Sequence, residues 1–144
     1  MTIAAGLIKG LRSRDVNRRR AAAESAGRHL CLAWPAIPAL VRALDDKDHF
    51  VRRHAAQSLG KLGPASKAAV ARLTELIADK DDVLAEAACW ALGRIGAPAR
   101  AALPALRRAA RRKLPRDPEK PDLDMYVGNT RAAARAAMSR IGMA

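Results

Sequence analysis

The feature that most constrains this chain is a repeat: three successive stretches superimpose at a spacing of 33 residues. Asp15, Asp48 and Asp81 fall in register, as do Leu7, Leu40 and Leu73, then Leu11, Leu44 and Ile77, and then Gly27, Gly60 and Gly93. A period of this length belongs to solenoids, whose units bury their apolar faces only against one another. Composition says what the unit is made of. Of 144 residues, 34 are alanine and only four are aromatic, so the core has to come from close helix contacts rather than bulky side chains. Alanine is the best helix former and the residues that favour strands are few, which predicts an all-α chain.

The second unit gives the clearest hairpin. Leu40, Val41 and Leu44 make an apolar stripe of helical period over residues 38–44, helix A of the pair. After Asp45-Asp46-Lys47-Asp48, residues 51–63 (VRRHAAQSLGKLG) begin helix B, with Asp48 at the N-cap and Gly63-Pro64 as the stop. Residues 70–77 and 84–96 repeat the scheme in the third unit. The first is looser, with LIKGL (7–11), Asp15 and RRRAAAESAG (18–27), followed by an expected irregular junction over 31–38. A fourth helix A opens at residues 102–113 and a fourth helix B at 130–142, here 46 residues after the third helix B rather than 33. The difference falls in an inserted loop, 114–128, whose three prolines forbid regular helix. One domain over 1–144 is expected, with units near 1–35, 36–68, 69–101 and 102–144.

These units resemble the short HEAT repeats of the type shared with phycobilisome lyases, whose helix B commonly reads like VRRAAAEALGKIG after an Asp-containing turn. VRRHAAQSLGKLG is close to that pattern, LAEAACWALGRIG keeps its end without the Arg pair, and RRRAAAESAG keeps its start. The paired aromatics of tetratricopeptide repeats and the Thr-Pro-Leu-His element of ankyrin repeats are absent. The resemblance implies a right-handed α-solenoid of about four antiparallel hairpins with helix B lining the concave surface, where partners dock.

A helical wheel centred on Ala88 turns Glu86, Trp90 and Gly93 most outward, with Arg20, Glu24 and Gly27, and Arg53, Gln57 and Gly60, as their counterparts. Trp90 stands out because its slot holds Glu24 and Gln57 elsewhere, and exposed tryptophans anchor interfaces. The structural alternative is a ring laid over Ala132 and Ala136 of the next unit. Arg20 and Arg53 suit bidentate contacts to carboxylate or phosphate, although arginines beside Asp-containing turns also serve the repeat itself. Arg107, Arg108, Arg111, Arg112 and Lys113 make the densest basic cluster, expected to be neutralised by Asp117, Glu119, Asp122 and Asp124 of the inserted loop, which also carries Tyr126.

The formal net charge of +13 favours an anionic partner, but the third unit nets −1 and interrupts the basic run. No catalytic constellation emerges. His29, His49 and His54 lack metal-ligand spacing, and the Asp clusters lack the glycine and terminal glutamate of a calcium loop, so capping explains them. The iron-binding His-Glu pairs of HEAT-fold deoxyhypusine hydroxylases are missing. A HEAT-like DNA glycosylase would need more on its concave face than one Trp and Glu86, and nothing marks a chromophore pocket of the lyase kind. Cys31 and Cys89 fit neither a disulfide framework nor a metal knuckle. The N-terminus has no leader pattern and no stretch approaches the ~18 apolar residues of a membrane span. The sequence therefore predicts a cytoplasmic, monomeric protein without cofactor or metal, not an enzyme, that binds a protein partner through Arg20, Arg53, Gln57, Glu86, Trp90 and Tyr126. The alternative is a nucleic-acid or polyanion binder.

Overall fold

In each described turn between paired helices, a short polar side chain accepts a hydrogen bond from the backbone two residues on: Ser13 from Asp15, Asp46 from Asp48 and Asp79 from Asp81, at 3.1, 2.9 and 2.9 Å. The aspartate that follows caps the next helix, accepting from the amides of Asn17, Val51, and Val83 with Leu84. Such caps satisfy amides that a helix start leaves free. The computed structural model describes residues 2–112 and 130–142. Among them the chain forms α1 (Ile3–Leu11), α2 (Val16–Ala26), α3 (Ile37–Ala43), α4 (His49–Leu62), α5 (Val70–Leu76), α6 (Asp82–Ile95), α7 (Leu103–Arg111) and α8 (Thr130–Gly142), with no strand. The inserted loop, including Tyr126 and the acids expected to neutralise the basic cluster, lies outside the described residues.

Each hairpin is joined to the next by a 3-10 segment, Leu30–Ala36, Gly63–Ala69 and Ala97–Ala102, leading into α3, α5 and α7. The first junction, expected to be irregular, follows the same path as the others. What disguised it is its entry residue. The backbone turns through positive φ at Gly63 (65°) and Gly96 (77°), and the residue in register with them is Leu30, at φ 27°. Without the glycine the stop signal is missing from the sequence, although the turn is made.

Leu40, Leu73 and Leu106 are fully buried at one register position of successive A helices, and Ala22, Ala55, Ala88 and Ala134 are buried along the B helices. The two layers are held differently. Helices α2, α4, α6 and α8 pack directly in succession, whereas the A helices meet mainly through the 3-10 segments. Direct packing needs small residues at the seam. A Cβ on Gly27 would stand 2.9 Å from Ser58 Oγ, one on Gly60 would stand 2.9 Å from Ala91 Cα, and one on Gly93 would stand 2.9 Å from Ala137 Cα. Ser58, Ala91 and Ala137 share a register position, so one notch recurs at every junction, even across the insertion. The glycine slot is therefore buried, not outward as the helical wheel has it. A wheel finds the flank facing helix A but not the second flank, facing the neighbouring helix B. Ser58 also ties its seam by donating to the Ala23 carbonyl at 2.5 Å.

Candidate binding groove

The register that builds the seam also sets which B-helix side chains remain outside it. Arg53, Gln57 and Lys61 of α4, Glu86 and Trp90 of α6, and Ala132 and Ala136 of α8 border one open cavity of about 670 Å³. Four of the six residues singled out from sequence thus lie on one wall system. The wall nearest α8 is nearly bare because alanines occupy it, and this leaves the space open. Trp90 does not fill it: the ring leans the other way, onto Gly60, and remains 40% exposed at the groove edge. Arg94 stands 6.0 Å from the ring centroid, within range of a cation–π contact.

Arg20 belongs elsewhere. Its guanidinium makes a fork to Asp48 of the next turn, Nε to Oδ1 at 3.0 Å and Nη2 to Oδ2 at 2.6 Å, and stacks 4.7 Å over the Phe50 ring. The hydrogen bond from Arg20, helped by the Val51 amide, holds the Asp48 carboxyl well below the usual carboxylate range against the opposing effect of burial. Its neighbour Arg19 is buried, bonding Asp46 through Nε at 2.8 Å and the Ser13 and Arg14 carbonyls through Nη1. Arg52, in register with Arg19, donates to the Asp46 carbonyl at 2.7 Å. Arg53, in register with Arg20, makes no ion pair among the described residues and faces the groove. The arginine pairs thus divide between turn chemistry and open surface.

Cys89 is buried, and burial first, then Glu86, pushes its thiol up to about 12, where it stays protonated. Among the described residues no cluster of His, Cys, Asp and Glu could hold a metal ion, and no helix is long and apolar enough to cross a membrane.

Sequence reasoning missed one set: Arg28, Lys61 and Arg94, spaced by 33 residues, and Arg140, displaced by the same 46 residues as its helix. All four are exposed. The signal is the register itself, which places a cation one residue past each seam glycine.

Stacked helical hairpins, joined through small-residue seams and presenting an unfilled groove on one layer, define an α-solenoid of the repeat-protein class. Residues 4–87 match the family model for HEAT repeats, and since this is more than half of the chain, it belongs to the HEAT-repeat family. No curated protein matches it. Among solved structures, it is similar to a chain in the complex of CpcE and CpcF of phycocyanin lyase from Nostoc sp. PCC7120, with a TM-score of 0.63 and 25% identity. The alignment covers 96% of this chain and 64% of that one, so this chain spans less than two thirds of its neighbour's length.

Proposed function

We propose that this protein is a non-enzymatic interaction scaffold that holds a protein partner in the groove between α4, α6 and α8. The observation that carries this reading is Trp90, a half-open aromatic beside an unfilled cavity, in a register slot that holds Glu24 and Gln57 in the two preceding units. Aromatic anchors at pocket edges supply much of the binding energy of protein interfaces. Two further points support it. The B helices pack directly on one another, whereas the A helices meet mainly through the 3-10 segments, which supports a partner surface built on the B layer. The structural neighbour is part of a complex of two proteins. That complex is of phycocyanin lyase, but the groove's charged residues here are Arg53, Lys61 and Glu86, a set suited to recognition, and the scaffold reading asks no chemistry of them.

The test is capture of partners from host lysate by the parent and by Trp90→Ala, with and without nuclease. Loss of more than ~1 kcal/mol of affinity for a captured protein, with helical content unchanged, is expected. Equal binding by both would remove the groove as the site. Capture abolished by nuclease would favour the polyanion reading that the net charge invites.

A further inference from the structure

We infer that the occupant of this groove is an acidic segment of the partner protein, read by a ladder of cations: Lys61, Arg94 and Arg140 in the last turns of successive B helices, with Arg28 just past the end of the first. This rests on the scaffold reading above and adds the chemistry of the partner. A cation in the last turn of a helix is favourable by itself, because it meets the negative end of the helix dipole. That explains a basic residue near the C-terminus, but it does not select a face. Here the face is selected in the two middle units, and it is the groove's: Lys61 lines the cavity directly, and Arg94 stands against the ring of Trp90.

The stems are held as well as aimed. A Cβ on Gly27 would stand 3.0 Å from Lys61 Cδ, and one on Gly93 would stand 3.5 Å from Arg140 Cδ, so these side chains lie across the seam glycines of the preceding unit. Stems already packed lose less rotamer freedom when the charge is engaged. Arg28 is bonded to Glu24, whereas Lys61, Arg94 and Arg140 make no ion pair among the described residues. Packed helices lie about 8–10 Å apart, which sets the spacing of the rungs, and seven residues of a helical peptide, close to two turns, rise about 10.5 Å. Carboxylates two turns apart can therefore meet successive rungs.

The same surface argues against nucleic acid. Glu86 on the groove and Glu24 beside the first rung would repel a continuous phosphate backbone. A peptide can omit its charges there and can set an aliphatic side chain between Trp90 and the alanines of α8, a use that a phosphodiester has no group for.

The experiment uses the full chain and a fluorescein-labelled peptide of about fourteen residues built from Glu, Ala and a central Leu, beside the same peptide with Gln for Glu and an oligothymidylate of similar length. Binding is read by anisotropy. The parent should bind the Glu peptide at least about tenfold more tightly than the Gln peptide, and Lys61→Gln, Arg94→Gln, Arg140→Gln combined should lose about tenfold. A control of equal net charge, Lys9→Gln, Arg42→Gln, Lys67→Gln combined, should lose less than about threefold, with circular dichroism unchanged in both. Equal losses in the two triples, or no preference for Glu over Gln, would overturn the ladder. Tighter binding of the oligothymidylate, lost in the ladder triple, would replace the acidic peptide with nucleic acid. If the ladder triple keeps the Glu peptide while Trp90→Ala loses it, the ladder is wrong and the groove stands. If both variants bind it as the parent does, the groove falls too.

Discussion

The ring of Trp90 lies across Gly60 so closely that a Cβ on that glycine would come 2.5 Å from Cζ3 and 2.9 Å from the Cα of Ala91. The anchor residue and the small-residue seam are thus one structure: the notch that lets α4 and α6 approach is also the seat of the indole. A tryptophan in a slot that holds Glu24 and Gln57 in the two preceding units is tolerated because the unit before it offers a face with no side chain.

Gly60→Ala should therefore disturb both fold and groove. The clash involves a bulky ring and backbone, neither of which can retreat cheaply, and overpacking of this kind costs about 1–3 kcal/mol. Urea unfolding measures the loss. In a Trp34→Phe background, where Trp90 is the sole tryptophan, its emission should also shift to longer wavelength as the ring is pushed off its seat. An unchanged midpoint and spectrum would contradict the packing described.

Leu30 and Gly96 make an opposed pair. Leu30 carries a positive φ with its side chain 52% exposed, so its contacts return little for the strain. Leu30→Gly should relieve about 1–2 kcal/mol, less about 0.4–1 kcal/mol for the added freedom of the unfolded chain, leaving a net gain of roughly half to one kcal/mol. At Gly96 an added Cβ would touch nothing within 4 Å, which isolates backbone strain, and Gly96→Ala should cost about 1–3 kcal/mol. Thermal unfolding should separate the two variants in opposite directions from the parent.

Much of this fold is legible in the sequence because one physical unit is written three times. The Asp caps, the A-helix leucines and the Gly-Pro and Gly-Ala-Pro stops all follow from local rules applied at a fixed period. What a period cannot convey is how one unit touches the next. The burial of Gly27, Gly60 and Gly93, the turn of Trp90 toward Gly60 and the forward reach of Arg19 and Arg20 to Asp46 and Asp48 are all contacts between units. Local chemistry left Arg20 and Arg53 as equivalents. The structure separates them, because only the former finds a carboxylate in the following turn.

Arg19 and Asp46 form the buried member of these cross-unit pairs, with the arginine 7% exposed. Removing one partner strands a charge away from water, a loss of about 3–5 kcal/mol in comparable sites, so Asp46→Ala should be among the most destabilising single changes to a turn residue. The pair itself need not be worth that much. Arg19→Met with Asp46→Ala should recover part of the loss, since an apolar side chain of similar length leaves no charge stranded, although the Ser13 and Arg14 carbonyls lose their donor. Urea unfolding of the two variants and the parent checks the order.

Asp48 ties stability to acid through the geometry of Arg20. Its folded-state carboxyl is held well below the ordinary value, chiefly by the Arg20 hydrogen bond, so the folded state resists protonation more than the unfolded chain does. A depressed carboxyl stabilises in full above its unfolded value of about 3.9, and the contribution is lost as pH falls below that toward the folded value. Arg20→Gln keeps Asp48 available to cap α4 through the Val51 amide while removing the group that depresses it. Unfolding free energies measured from pH 7 down to about pH 2 should therefore fall less steeply in Arg20→Gln than in the parent below about pH 4, with the variant already less stable at neutral pH. Parallel curves for the two proteins would mean that the ion pair seen between these units does not govern the response to acid.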